Sequence, residues 1–215
     1  MSHMIPWFGM TRAPVSYDVW ARATGHVAAP VGSWGHTIRP VLATSHYWSG
    51  HQVSIWARRT GDIIVGGGLP YLSYAFLGLG IAFVESPHDG SRTIRVSCPP
   101  TPLIEVPVGQ EATVTVTVAR STPATPTHAS VVVNGVLVHS GILDPPTGAR
   151  EVRNPEVAAT SGSRVDFWYE STRFDFPWSP DDIDPDWHNW RTTLHPLPPG
   201  HTWHVSTQHS VTPVW

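Results

Sequence analysis

Thr113-Val114-Thr115-Val116-Thr117-Val118 alternates strictly between a β-branched polar and a β-branched apolar residue. Only an extended strand sends successive side chains to opposite faces, so the three Val define a buried face and the three Thr a solvated one. A strand of this kind belongs to an antiparallel sheet that is wet on one side, and the rest of the chain must supply its neighbours.

Two further segments read the same way. Val131-Val132-Val133-Asn134-Gly135-Val136-Leu137-Val138 is a hairpin pattern, because Asn-Gly supplies the two positive-φ residues of a tight turn. Arg164 to Glu170 alternates again, with Val165, Phe167 and Tyr169 opposing Asp166, Trp168 and Glu170. With 22 Pro, 18 Gly and only 13% charged residues in 215, the chain is too heavily punctuated for long helices. Short strands joined by Pro, Gly and Ser turns over 103–174 predict a small β-sandwich.

Residues 1–98 predict a second, less regular β domain, with strands at His36–Thr44, Gln52–Arg58, Asp62–Gly66, Leu72–Leu77, Ile81–Glu85 and Thr93–Ser97. Within Gln52–Arg58, Val53, Ile55 and Ala57 share one face and Ser54, Trp56 and Arg58 the other, which exposes Trp56 if the first face is core. Arg59-Thr60-Gly61-Asp62 and His88-Asp89-Gly90-Ser91 read as hairpin turns. The Pro-rich stretch 99–102 reads as a stiff, extended linker between the two domains. Residues 175–215 hold five of the eleven Trp, seven Pro and five His but few aliphatic residues, and are expected to form an extended arm over neighbouring surfaces.

The opening PLIEVPVGQEATVTVTV, the hairpin VVVNGVLV and the late strand GSRVDFWYE resemble the immunoglobulin-like or fibronectin type III-like module carried by many bacteriophage virion proteins. The resemblance is to the architecture and spans about a third of the chain. It implies an all-β structural subunit of a tailed-phage virion, a minor tail protein above all, assembled in the host cytoplasm. Its partners would be other virion proteins and copies of itself. A carbohydrate-binding module contacting host-envelope glycans and a capsid decoration protein are the alternatives.

Other function classes find little support. A net charge of −3 and a pI near 6.5 offer no basic field for nucleic acid, although all 13 basic residues are Arg, which suits interfaces or reflects coding bias. The uncharged run Ile63–Val84 is long enough to span a bilayer, but Gly66-Gly67-Gly68 and Pro70 break a helix near its start. Two buried strands around a Gly-rich bend explain it better. The start MSHMIPWFGM lacks the basic and apolar regions of a signal peptide, and none is expected. The single Cys98 cannot form an internal disulfide.

No cofactor is expected and no catalytic constellation is evident. There is no GxSxG elbow, Gly66–Gly68 lacks a following Lys and Ser or Thr, and Glu170 and Asp175 have no assignable acid and base roles. His46 with His51, and His201 with His204 and His209, are candidate metal ligands without an accompanying motif. Asp181 to Asp186 could gather oxygens around calcium but lacks the EF-hand Gly and Glu, so capping or a solvated turn is the simpler reading.

Eleven Trp exceed what one core of this size requires. Trp56, Trp178, Trp187, Trp190, Trp203 and Trp215 are therefore the candidates for protein-interface or glycan contact.

Overall fold

The computed structural model describes residues 16–32, 36–38, 41–42, 50–63, 70–76, 78–119, 126–143, 156–174, 192–193 and 202–214. Fifteen strands run through them: β1 (Ser16–Ala28), β2 (His36–Ile38), β3 (Val41–Leu42), β4 (Gly50–Gly61), β5 (Leu72–Phe76), β6 (Leu79–Glu85), β7 (Arg92–Ser97), β8 (Ile104–Val108), β9 (Glu111–Ala119), β10 (Thr127–Val133), β11 (Val136–Leu143), β12 (Glu156–Ala159), β13 (Ser163–Phe174), β14 (Thr192–Thr193) and β15 (Thr202–Val214). A seven-stranded sheet has the order β11-β10-β9-β4-β13-β1-β15, and a six-stranded sheet the order β2-β12-β5-β6-β7-β8. Every pairing is antiparallel.

The two sheets share one core. Val114, Val116 and Val118 of β9 lie beside Val53 and Ile55 of β4 and Val165, Phe167 and Tyr169 of β13, and the facing sheet adds Leu72, Ile81, Phe83, Ile94 and Val96. This is a β-sandwich, as the alternation predicts.

The division into two domains does not hold. Strand β4, from the region expected to fold separately, sits between β9 and β13. In the other sheet β12 pairs with both β2 and β5. Long-range pairing of this kind leaves no signal in local periodicity. The Pro-rich stretch is a tight turn and not an extended linker: around a cis Pro99–Pro100 peptide, Thr101 N–H donates to Cys98 O at 2.9 Å, joining the adjacent strands β7 and β8. Nor is 202–214 an irregular arm, since β15 pairs with β1 along all 13 residues.

Turn chemistry is mixed. Asn134 and Gly135 adopt φ of 48° and 80°, which is the Asn-Gly hairpin expected between β10 and β11. His88–Ser91 closes the β6–β7 hairpin, with Ser86 N–H donating to Ser91 O at 2.8 Å. Arg59–Asp62 is not a hairpin turn: β4 continues to Gly61, opposite Ser163. Arg59 keeps the inward parity of Val53, Ile55 and Ala57, and a buried carboxylate on the other sheet receives its charge. Of the run Ile63–Val84, the described residues include the hairpin β5–β6. Among the described residues no helix is long and apolar enough to cross a membrane.

Candidate functional site

The seven-stranded sheet has one face in the core and one outside, and the outer face carries the aromatic feature of interest. Because β4 and β13 pair in antiparallel register, Trp56 stands directly opposite Trp168. Directly opposed residues share a face with Cβ atoms about 5 Å apart. The row continues to Thr113 of β9 beside Trp56 and to Thr24 of β1 beside Trp168. Both indole side chains are partly exposed, as are Thr24 and Thr113.

Two residues along, the next outer row holds charge. Arg58 lies opposite Asp166 on one side and Glu111 on the other. Its Nη2 donates to Asp166 Oδ2 at 3.2 Å, and its guanidinium carbon lies 5.7 Å from the centre of the Trp56 ring. Arg164 Nε donates to Asp166 Oδ1 at 2.9 Å. Partial burial alone would raise the Asp166 carboxyl, but the hydrogen bonds and charges of Arg164 and Arg58 outweigh it and hold the group below its ordinary value. Asp166 therefore stays ionised and anchors the cation that braces Trp56.

On the other side of the Trp row, Ser54 Oγ and Thr115 Oγ1 lie 3.2 Å apart, with Glu170 opposite Ser54. The pair of rings is thus bordered by hydroxyls that can donate and accept, and by a fixed ion-pair row. Such a surface can stack flat ligand faces and hydrogen-bond their edges.

The other expected residues are distributed as follows. Trp203 occurs in β15 opposite Val27, which is buried, so it does not join the Trp56 row. Trp178, Trp187, Trp190, Trp215, His46, His201, Asp175, Gly66–Gly68 and the acidic run Asp181–Asp186 lie outside the described residues. His51 is buried, with Nε2 2.9 Å from the Tyr74 hydroxyl, which makes it a tie between the sheets. In β15, His204 falls opposite His26 and His209 opposite Ala21. Among the described residues no group of three or more His, Cys, Asp or Glu converges on a metal position. Cys98 is buried, and burial pushes its thiol up to about 11. Trp168 is the partner that the candidate set missed. Its alternation with Phe167 and Tyr169 placed it on the outer face, but only the β4–β13 register brings it to Trp56.

No protein-family model matches the sequence, and no curated protein does. Among solved structures, the fold is similar to an alginate lyase, a doubly substituted mutant of Aly36B in complex with alginate trisaccharide, at 12% identity and a TM-score of 0.38, covering 66% of this chain and 80% of that one. It is similar to domain 4 of AbnA, a GH43 extracellular arabinanase from Geobacillus stearothermophilus in complex with arabinotriose, at 14% identity and a TM-score of 0.36, covering 71% and 84%. A third is the binding domain of botulinum neurotoxin DC in complex with SialylT, at 11% identity and a TM-score of 0.32, covering 75% of this chain and 44% of that one. Likeness at this level does not carry ligand chemistry from those proteins to this chain.

Proposed function

We propose that this protein binds carbohydrate through the outer face of its seven-stranded sheet, with Trp56 and Trp168 as the stacking platform. The observation that supports this reading is their direct opposition in the β4–β13 register, on a solvent-facing surface bordered by Ser54, Thr113, Thr115 and Thr24. Sugar rings present an apolar face of C–H groups and a rim of hydroxyls. Indole planes complement the first, and Ser and Thr hydroxyls the second. Arg58, tied to Asp166 and set over Trp56, limits the movement of that ring, which lowers the entropy lost on binding. The role is binding and not catalysis. A glycan array on the purified chain tests it: reproducible binding to at least one oligosaccharide class, lost in Trp56→Ala/Trp168→Ala, is the expected result. No binding to any class is the contrary one.

A second reading, a structural subunit of a tailed-phage virion, is favoured by the edge strand β11. It ends the seven-stranded sheet, carries no charged residue and exposes Val136, Leu137 and Ile142 at 64%, 59% and 62%. An uncharged edge of this length is open to pairing with another chain. Light scattering on the chromatographed protein separates the readings, because assembly through β11 gives oligomers that Leu137→Lys dissolves, whereas a glycan module stays monomeric.

A further inference from the structure

We infer that the ligand of the Trp56–Trp168 face is an electrically neutral oligosaccharide; this rests on the carbohydrate-binding reading above and narrows it. The argument is the charge pattern of the outer face. The Trp row itself, Thr24–Trp168–Trp56–Thr113, holds no charge. Among the described side chains, the rows on either side, together with Arg164, carry two arginines, Arg58 and Arg164, and three carboxylates, Glu111, Asp166 and Glu170. Two positive charges against three negative ones leave no cation in excess. They are also interleaved: Arg58 lies between Asp166 and Glu111, and Arg164 donates to Asp166.

A site for uronate, sulfate or sialate needs a cation left over for the ligand. Here both described guanidinium groups beside the Trp pair are engaged with one carboxylate, and freeing either would leave Asp166 short of a partner. An anionic sugar would also sit near Glu111 and Glu170. A neutral sugar meets neither cost and uses the hydroxyls that line the row. The row crosses four adjacent strands, β1, β13, β4 and β9, at about 4.8 Å per step, or about 14 Å in all. That length suits an oligosaccharide lying across the strands and not a single sugar.

Calorimetric titration of the full chain tests this, using neutral gluco-, xylo- and manno-oligosaccharides alongside uronate-containing oligosaccharides of equal length, each at about 0.02 M and about 0.5 M NaCl. The expected result is binding to a neutral series, tighter for three sugars than for one, with Kd changing less than twofold between the two salt concentrations. Binding confined to the uronate series and weakened tenfold or more by salt overturns the inference of neutrality while leaving carbohydrate binding in place. No binding in either series overturns both.

Discussion

The Arg59 guanidinium of β4 and the Glu85 carboxylate of β6 meet at 2.6 Å with neither side chain exposed, so an ion pair joins the two sheets through the interior of the sandwich. Arg92 adds a second contact to the same carboxylate at 2.9 Å. Burial pulls the Arg59 guanidinium below its ordinary value, and the charge and hydrogen bond of Glu85 oppose that. Removing one partner strands the other charge in low dielectric. Arg59→Met and Glu85→Gln are each expected to cost about 3–5 kcal/mol in urea unfolding, and the double substitution less than the sum. Single losses below about 0.5 kcal/mol would show that the pair is not desolvated.

Where β12 leaves one sheet and β13 enters the other, two glycines make the corner possible. Gly61 has φ of 97°, and a Cβ there would overlap the Gly162 carbonyl and lie 2.9 Å from Ser163 Cα. Gly61→Ala should therefore destabilise the protein by about 1–3 kcal/mol. Gly109→Ala, with open space at its Cβ, should stay within about 0.5 kcal/mol. Equal thermal shifts for the two variants would contradict this account of the corner.

Alkaline behaviour follows from three buried phenols. Burial pushes Tyr71 up to about 12, and Tyr74 and Tyr169 further above the ordinary range. A folded value above the unfolded one means that this stabilisation is complete below about pH 10 and is lost as pH rises through the folded values. Tyrosinate absorbance should show these three ionising together with unfolding, while the native Cys98 thiol stays inert to thiol reagents at about pH 8. Ionisation of all five tyrosines near pH 10 in the folded protein is the opposing outcome.

The acid side involves Asp166. Its folded carboxyl is held low, so its contribution is present above about pH 4 and lost as pH falls through the folded value. Arg58 and Arg164 are 44% and 50% exposed, which limits the contribution to about 1 kcal/mol or less. Asp166→Asn should flatten the acid limb of the stability profile slightly and weaken sugar binding several-fold by freeing Arg58 from its place over Trp56. An unchanged binding constant would remove the bracing role.

Much of the fold was legible because it was local. The Thr–Val alternation gave β9 its two faces, Asn134-Gly135 gave the β10–β11 turn, and the parity of Gln52–Arg58 put Trp56 outside. What local pattern does not encode is which strands become neighbours. The pairing of β1 with β15 joins residues nearly two hundred positions apart, and the union of β4 with β9 and β13 erases the expected boundary at 99–102. Arg59 was misread because a charge in a Gly-containing tetrapeptide looks like a turn unless its buried partner, Glu85, is known. The site was half visible for the same reason: Trp56 could be found from parity, but its pairing with Trp168 is a property of register.

The most direct measurement of the central claim is calorimetric titration of an array-identified oligosaccharide into the wild type, Trp56→Ala, Trp168→Ala and Trp203→Ala. Loss of tenfold or more in affinity, about 1.4 kcal/mol, is predicted for each of the first two substitutions, with Trp203→Ala, if it folds, within about twofold of wild type. Full affinity in the Trp56→Ala/Trp168→Ala double variant would contradict the account.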